Sequence, residues 1–318
     1  MRAEPIHFHR DAPLAGTLYL PEGDGPHPAL VVLHSASGGE RSYPFYHHLS
    51  VHLPAAGIAL LLYDRRGSGK SGGHFATADF EALAADGVAA AEALAARPDI
   101  DPARIGVYGI SQGGWLAPIV AARRPETACV VVASGSGVSP ARQMDYATAR
   151  TVREMGYGEA AVARLLYLRG RVNRYYRGEL ARDEVQAELD VARAEPWYSH
   201  GYLIGPKGLP EDVELSKWHH EMDYDPLSVW REVRQPVLFI YPEDDRWIPV
   251  AESVAAFRGA TAHLNDATFA QIPNSDHLMG MENEADPRIS AEYLTVLVNW
   301  LQAHLSGASR RRVRLLLV

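Results

Sequence analysis

The chain has 318 residues, 47% hydrophobic and 22% charged, which is enough apolar material for a substantial core and argues against global disorder. Its formal net charge of -8, from 31 basic and 39 acidic residues, disfavours nucleic acid or an anionic membrane surface as partner. Cys129 stands alone, no apolar run nears the ~20 residues of a membrane span, and Met1 to Arg10 holds no signal-peptide core, so a cytoplasmic globular protein is expected.

Residues 4–9 and 14–20 read as two short strands joined at Asp11-Ala12-Pro13, an antiparallel hairpin. Ala29 to Leu33 and Ile58 to Tyr63 are continuous apolar runs, as expected of strands covered on both faces. Between them, residues 42–56 read as helix with Pro44 near the start and Pro54 near the end. Phe80, Leu83, Ala84, Val88, Ala91, Leu94 and Ala95 recur at helical spacing, and Pro98 closes that helix. Strand 104–109, helix 112–123 and strand 128–133 follow, with Pro118 expected to kink the helix. Cys129, inside the last of these strands, reads as a structural thiol. Alternating apolar strands and helices at this spacing predict a doubly wound, mostly parallel sheet.

From about Val138 to Trp230 the rhythm breaks: no strand-like run occurs, and helical spacing marks Ala160 to Tyr176 and Arg182 to Ala194. This segment, 138–230, reads as a helical cap or lid insertion into a core formed by 1–137 and 231–305. Its tyrosines and tryptophans are expected mainly to pack the insertion, with a substrate pocket as the other reading, and its arginines to form a solvated face. The strand-and-helix pattern resumes with Val237 to Tyr241, a helix over about 250–262, a strand over 268–272 and an amphipathic helix over about 290–305. The tail 306–318 pairs an Arg cluster with Leu315-Leu316-Leu317 and reads equally as disorder, an edge strand or an artificial extension.

The stretch that carries chemistry is Gly109-Ile110-Ser111-Gln112-Gly113, set between a strand and an Ala-rich helix. Glycines two residues either side of the serine remove Cβ atoms that would collide at a sharp strand-to-helix bend. Such a bend lifts the Ser111 hydroxyl above the sheet edge and aims the helix N-terminus at it, where an oxyanion meets backbone N–H groups. The alternative is an ordinary Gly-rich turn. A serine nucleophile also needs a base and a third group to orient that base, in the chain order Ser, acid, His. Loops with candidates follow two later strands: Pro242-Glu243-Asp244-Asp245 and Pro273-Asn274-Ser275-Asp276-His277. Open α/β sheets place their sites along that strand edge.

Taken with Leu33-His34-Ser35-Ala36 and Asp64-Arg65-Arg66-Gly67-Ser68-Gly69-Lys70-Ser71, these pieces resemble the α/β-hydrolase superfamily, in particular serine esterases and lipase-like hydrolases with a helical cap. The resemblance implies an α/β-hydrolase fold, Ser111 as nucleophile, His277 as general base and acid, and Asp245 as the orienting carboxylate. Asp244 is the rival; the family's spacing of its acid four residues before a proline, here Pro249, favours Asp245. The backbone N–H groups of Ala36 and Gln112 would form the oxyanion hole. His34 would be a structural hydrogen-bonder beside it, and Asp276 a solvated loop residue. The chain departs from the family's usual His-Gly in having His34-Ser35, which costs backbone freedom at Ala36.

The implied reaction is cleavage of a small-molecule carboxylic ester through an acyl-enzyme, with no cofactor. Thioesterase or serine aminopeptidase chemistry on the same triad is the alternative, followed by a non-catalytic binder. Gly67-Ser68-Gly69-Lys70-Ser71 lacks the opening glycine of a phosphate loop, because Asp64 occupies that position and would repel phosphate. His47-His48, His200 and His219-His220 show no metalloprotease spacing or Cys partner, so no metal is expected.

Overall fold

The structure, a computed structural model, describes residues 1–205, 208–281 and 288–305. The chain divides into two compact units: a sheet unit of residues 1–137, 226–245 and 250 onward, and a helical unit of residues 138–225 and 246–249.

In the sheet unit the elements run β1 (Arg2–His9), β2 (Pro13–Leu20), β3 (His27–Leu33), α1 (His47–Ala55), β4 (Ala59–Tyr63), α2 (Phe80–Ala95), β5 (Ile100–Ile110), α3 (Gly113–Arg123) and β6 (Val130–Ala133). An eight-stranded sheet orders them β1-β2-β4-β3-β5-β6-β7-β8. The later members are β7 (Val237–Pro242) and β8 (Ala267–Ile272), with α8 (Val250–Ala260) and α9 (Ala291–Leu305) among the helices. The hairpin β1·β2 is antiparallel and joins β4 antiparallel; from β4 across to β8 every pairing is parallel. This is the predicted doubly wound, mostly parallel arrangement.

Strands β4, β6 and β7 are buried from end to end and β3 from Ala29 onward, as their unbroken apolar runs require. Leu30, Val32, Leu60, Tyr108, Val131 and Leu238 pack with α1 and α9 residues into one core cluster, and Cys129 lies within it. Burial there pushes the Cys129 thiol up to about 12, so it behaves as a small apolar group. Helix α2 begins where Asp79 accepts a hydrogen bond from the Ala82 N–H at 2.8 Å. Strand β5 is longer than the sequence predicts, since Ile100 also pairs with β3 across an irregularity. Helix α3 continues through Pro118, whose missing N–H leaves the Gly114 carbonyl without its helical donor.

In the helical unit, α4 (Pro140–Glu154), α5 (Glu159–Tyr176), α6 (Arg182–Ala192) and the short α7 (Lys217–Glu221) enclose a cluster that includes Val152, Leu165, Leu168, Val172 and Leu189. Helix α4 was not singled out by apolar spacing; it starts at Ser139, whose hydroxyl accepts from the Arg142 N–H, with Pro140 in the first turn.

Two boundary expectations are corrected. The insertion ends at Asp225 rather than residue 230, because Trp230 is fully buried in the sheet unit, 5.2 Å from the Phe239 ring and 5.7 Å from that of Phe257. The segment Arg246–Pro249 belongs to the helical unit, where Arg246 Nε meets Glu154 at 2.7 Å and Trp247 packs edge-on against Tyr202. The tail 306–318 lies outside the described residues.

Candidate active site

Ser111 sits between β5 and α3 with φ of 55°, a left-handed conformation that is costly for any residue but glycine. The bend around it is tight. A Cβ at Gly109 would lie 2.1 Å from the Gly113 carbonyl oxygen, and one at Gly113 would lie 2.2 Å from that of Leu33. Both neighbours are backbone, so no side chain can swing aside to make room. The Ser111 N–H donates to the Ala133 carbonyl at 2.9 Å, and its own carbonyl accepts from the Gly114 N–H at 2.8 Å. The first bond ties the strained residue to the last residue of β6, and the second closes the turn into α3.

The loop after β8 is anchored to the neighbouring position. Ser134, itself at φ of 47°, donates its hydroxyl to the His277 carbonyl at 2.8 Å. Its N–H donates to the Ile240 carbonyl at 2.9 Å. Ser111 and His277 are therefore tied to consecutive residues at one sheet edge. Ser134 has no catalytic signature in the sequence, and its partner lies 143 residues away in the chain.

The His277 Nδ1 lies 3.0 and 2.8 Å from the two carboxylate oxygens of Asp245. A carboxylate only accepts, so in the neutral ring the proton sits on Nδ1 and the lone pair on Nε2, the form a general base needs. Asp245 is 1% exposed, whereas Asp244 is exposed. Among the described residues, neither the Ser111 hydroxyl nor Nε2 of His277 forms a hydrogen bond. In free hydrolases that contact commonly tightens only when substrate enters.

Asp276 is half-buried rather than freely solvated. One of its carboxylate oxygens accepts from the N–H groups of Leu278 and Gly280, both at 2.9 Å. That closes the turn directly after His277 and fixes the entry of the imidazole.

The two N–H groups expected at the oxyanion hole, those of Ala36 and Gln112, donate to nothing among the described residues. Gln112 precedes α3, so its N–H belongs to a helix N-terminus. The Ala36 N–H is oriented by Arg65, which sequence reading left as part of a motif without a role. Nη1 of Arg65 donates to the Ser35 carbonyl at 2.8 Å and to the Ala36 carbonyl at 3.1 Å. Because the trans peptide plane sets the Ser35 C=O and Ala36 N–H in opposite directions, pinning the carbonyl aims the N–H away from the guanidinium. Arg65 is in turn fixed over the Phe75 ring, 3.4 Å from its centroid.

His34 is buried, and its Nε2–H donates to the Tyr63 carbonyl at 2.6 Å. Burial, helped by the Arg65 charge, lowers its pKa to about 4, so it is neutral at ordinary pH. The Gly67–Ser71 turn wraps a carboxylate instead of a phosphate: Asp64 accepts from the N–H groups of Arg41 at 3.0 Å and Lys70 at 2.9 Å. A Cβ at Gly69 would collide with that carboxylate at 2.5 Å. Elsewhere, in the helical unit, donor atoms of Glu214, His219 and His220 lie within 4.8 Å of one another.

A family model described as the alpha/beta hydrolase family matches residues 30–290. The chain belongs to the alpha/beta hydrolase family. Two uncharacterized proteins of Mycobacterium tuberculosis are 35% identical to it over 122 residues, 38% of this chain and 42% of their own length. An uncharacterized peptidase of Bacillus subtilis is 23% identical over 89% of this chain, which spans only 36% of that protein. Among solved structures, an esterase from Pyrococcus furiosus aligns with TM-score 0.61 at 17% identity, covering 96% of this chain and 92% of that one. A proline iminopeptidase from Mycobacterium smegmatis gives TM-score 0.61 at 19% identity, covering 96% and 100%. These likenesses establish the alpha/beta hydrolase fold, while the chain spans less than half the length of the curated relatives it matches here. No helix among the described residues is long and apolar enough to cross a membrane.

Proposed function

We propose that the protein is a serine hydrolase that cleaves small-molecule carboxylic esters through an acyl-enzyme. The observation that carries this reading is Asp245 paired with His277 while Ser111 stands strained on the adjoining bend. Ser111 attacks the ester carbonyl while Nε2 of His277 takes its proton, and Asp245 stabilises the resulting imidazolium. The N–H groups of Ala36 and Gln112 receive the developing oxyanion, each donor being worth ~10²-fold or more in rate. His277 then returns the proton to the leaving alcohol, and a water activated by the same imidazole releases the acid. The residues proposed for this sequence need no metal or cofactor. A cytoplasmic setting fits a chain whose one cysteine is buried and free.

The second reading is a serine peptidase, favoured by the likeness to a peptidase over 89% of the chain. A panel of p-nitrophenyl esters of rising acyl length, assayed beside acyl-CoA thioesters and aminoacyl arylamides, separates the readings. Esters turned over with burst kinetics and stoichiometric organophosphate labelling of Ser111 are expected. Arylamide rates rivalling the esters would move the assignment to the peptidase, and absence of labelling would remove Ser111 as nucleophile.

A further inference from the structure

The helical unit holds a cavity of about 430 Å³ lined by its own residues. That volume lies in the range of small-molecule sites. One wall is a single face of α5, where Arg169, Val172, Asn173 and Tyr176 recur at helical spacing. Trp218 and Tyr202 add aromatic surface to the lining.

Arg169 is 4% exposed, an unusual burial for a guanidinium. Its Nε donates to Asp145 at 3.0 Å, and its Nη1 to the carbonyls of Gly201 and Tyr202 at 3.3 and 3.4 Å. Nη2 donates to nothing among the described residues. One turn further along α5, Asn173 is 5% exposed. Its side-chain oxygen accepts from the Trp218 indole N–H at 3.0 Å. An indole nitrogen only donates, which fixes the amide orientation and leaves the Asn173 Nδ2 hydrogens without an acceptor. Tyr202, whose carbonyl Arg169 holds, is itself left-handed at φ of 46°, a strained position of the sort found at ligand clamps.

Two buried side chains in one cavity thus present unused donors side by side, one of them cationic, against aromatic walls. Both residues are buried, yet neither donor atom is cut off from the cavity space, so the complement is an anion that offers two acceptor oxygens to them. We infer that this cavity binds a small organic carboxylate with an aromatic or apolar body, its oxygens bonded by Nη2 of Arg169 and Nδ2 of Asn173. The body lies against Trp218, Tyr176 and Val172. The inference goes beyond the hydrolase reading and uses none of its residues.

Calorimetric titration of the whole chain with phenylacetate and with phenylacetamide tests it. Phenylacetate binds at one site; the amide, which turns an N–H toward one of the donors, binds at least ~10-fold more weakly. Asn173→Asp keeps the acceptor for Trp218 but faces the ligand with a second carboxylate, and phenylacetate affinity falls by at least ~10-fold. Met144→Trp, from α4 on the cavity lining, replaces neither donor, takes up part of the space and weakens phenylacetate binding by at least ~10-fold; it decides the matter should Asn173→Asp fail to fold. Ser111→Ala binds phenylacetate as the parent does, even if esterase activity was never present. Equal binding of acid and amide, no saturable binding of phenylacetate at millimolar concentration, unchanged affinity in a folded Asn173→Asp or Met144→Trp, or loss of binding in Ser111→Ala each overturns the proposal.

Discussion

Buried polar side chains in the sheet unit end largely on backbone groups: His34 on the Tyr63 carbonyl, Arg65 on those of Ser35 and Ala36, Ser134 on that of His277, Asp64 on the Arg41 and Lys70 amides. In the helical unit the charged side chains mostly meet each other at the surface, as in Arg153 with Glu159, Arg174 with Glu179 and Arg177 with Asp223. Arg169 and Asn173 are buried instead, as is Glu221, and the first two have donors to spare among the described residues. A serine hydrolase needs the peptide N–H groups of two distant loops fixed before substrate arrives, and only tethered backbone supplies that. Helices joined by exposed ion pairs carry no such demand, so their buried polar groups stand out as candidates for ligand rather than scaffold.

The sharpest way to break this contrast is at the tether with the greatest chemical consequence. Asp245→Asn keeps the shape of the pair but lets the amide donate to Nδ1, which moves the ring proton to Nε2 and removes the base. By analogy with that substitution in other triads, kcat falls by roughly 10⁴-fold with KM little changed. Steady-state kinetics and an unfolding curve measured together check it. A tenfold loss or less would mean that Asp245 does not govern the tautomer of His277.

The parallel sheet was legible because its central strands are buried on both faces and so read as unbroken apolar runs, such as Val130–Ala133 and Val237–Pro242. Two side chains of the proposed relay, Ser111 and Asp245, each follow the end of such a run, while His277 follows the half-buried β8 and was found through the resemblance of its loop. Of two adjacent acids, Asp245 and not Asp244 meets the imidazole, a choice reached through the spacing to Pro249. What stayed hidden depends on long-range backbone geometry. Nothing local marks Ser134 as the anchor of a loop 143 residues away, or Arg65 as the orienter of the Ala36 peptide. In the insertion, α4 carries its Ser-Pro start signal but an otherwise polar composition, and Arg169 looks like any other arginine of a solvated face. Burial of a single arginine on an amphipathic helix follows from tertiary packing, which periodicity alone does not encode.

Arg65→Lys tests the tether one step from the chemistry. A lysine retains the charge but lacks the fork that spans two carbonyls, so the Ala36 N–H loses its set direction. Losing one oxyanion donor lowers kcat by ~10²-fold, and KM stays near the parent value. A change confined to KM would instead assign Arg65 to substrate binding.

The buried histidines give the sheet unit a pH dependence with a definite sign. Burial lowers His34 and His48 from 6.5 to about 4. His48 faces the Tyr293 hydroxyl and the Phe45 carbonyl, with the His47 and His52 imidazoles as its titratable neighbours. Both rings stay neutral in the fold while the unfolded chain takes up protons below 6.5. Stability from this source is therefore complete above pH 6.5 and declines as the pH falls toward 4. His48→Gln flattens the decline in the urea midpoint between pH 7 and 4.5. An identical slope in parent and variant would exclude a neutral His48 in the fold.

The smallest effect is expected where the helical unit looks best bonded. Arg177 grips Asp223 through two contacts of 2.7 and 2.6 Å, yet the two side chains are 36% and 53% exposed. Water and salt screen such a pair, and ordering two long side chains offsets most of the attraction. Arg177→Ala accordingly moves Tm by less than ~2 °C, and the difference vanishes in 1 M salt. Leu165→Ala, which empties a fully buried position in the same unit, costs ~2–5 kcal/mol and is indifferent to salt. A larger, salt-sensitive loss at Arg177 than at Leu165 would reverse the ranking and make the ion pairs, rather than the apolar cluster, what holds the helices together.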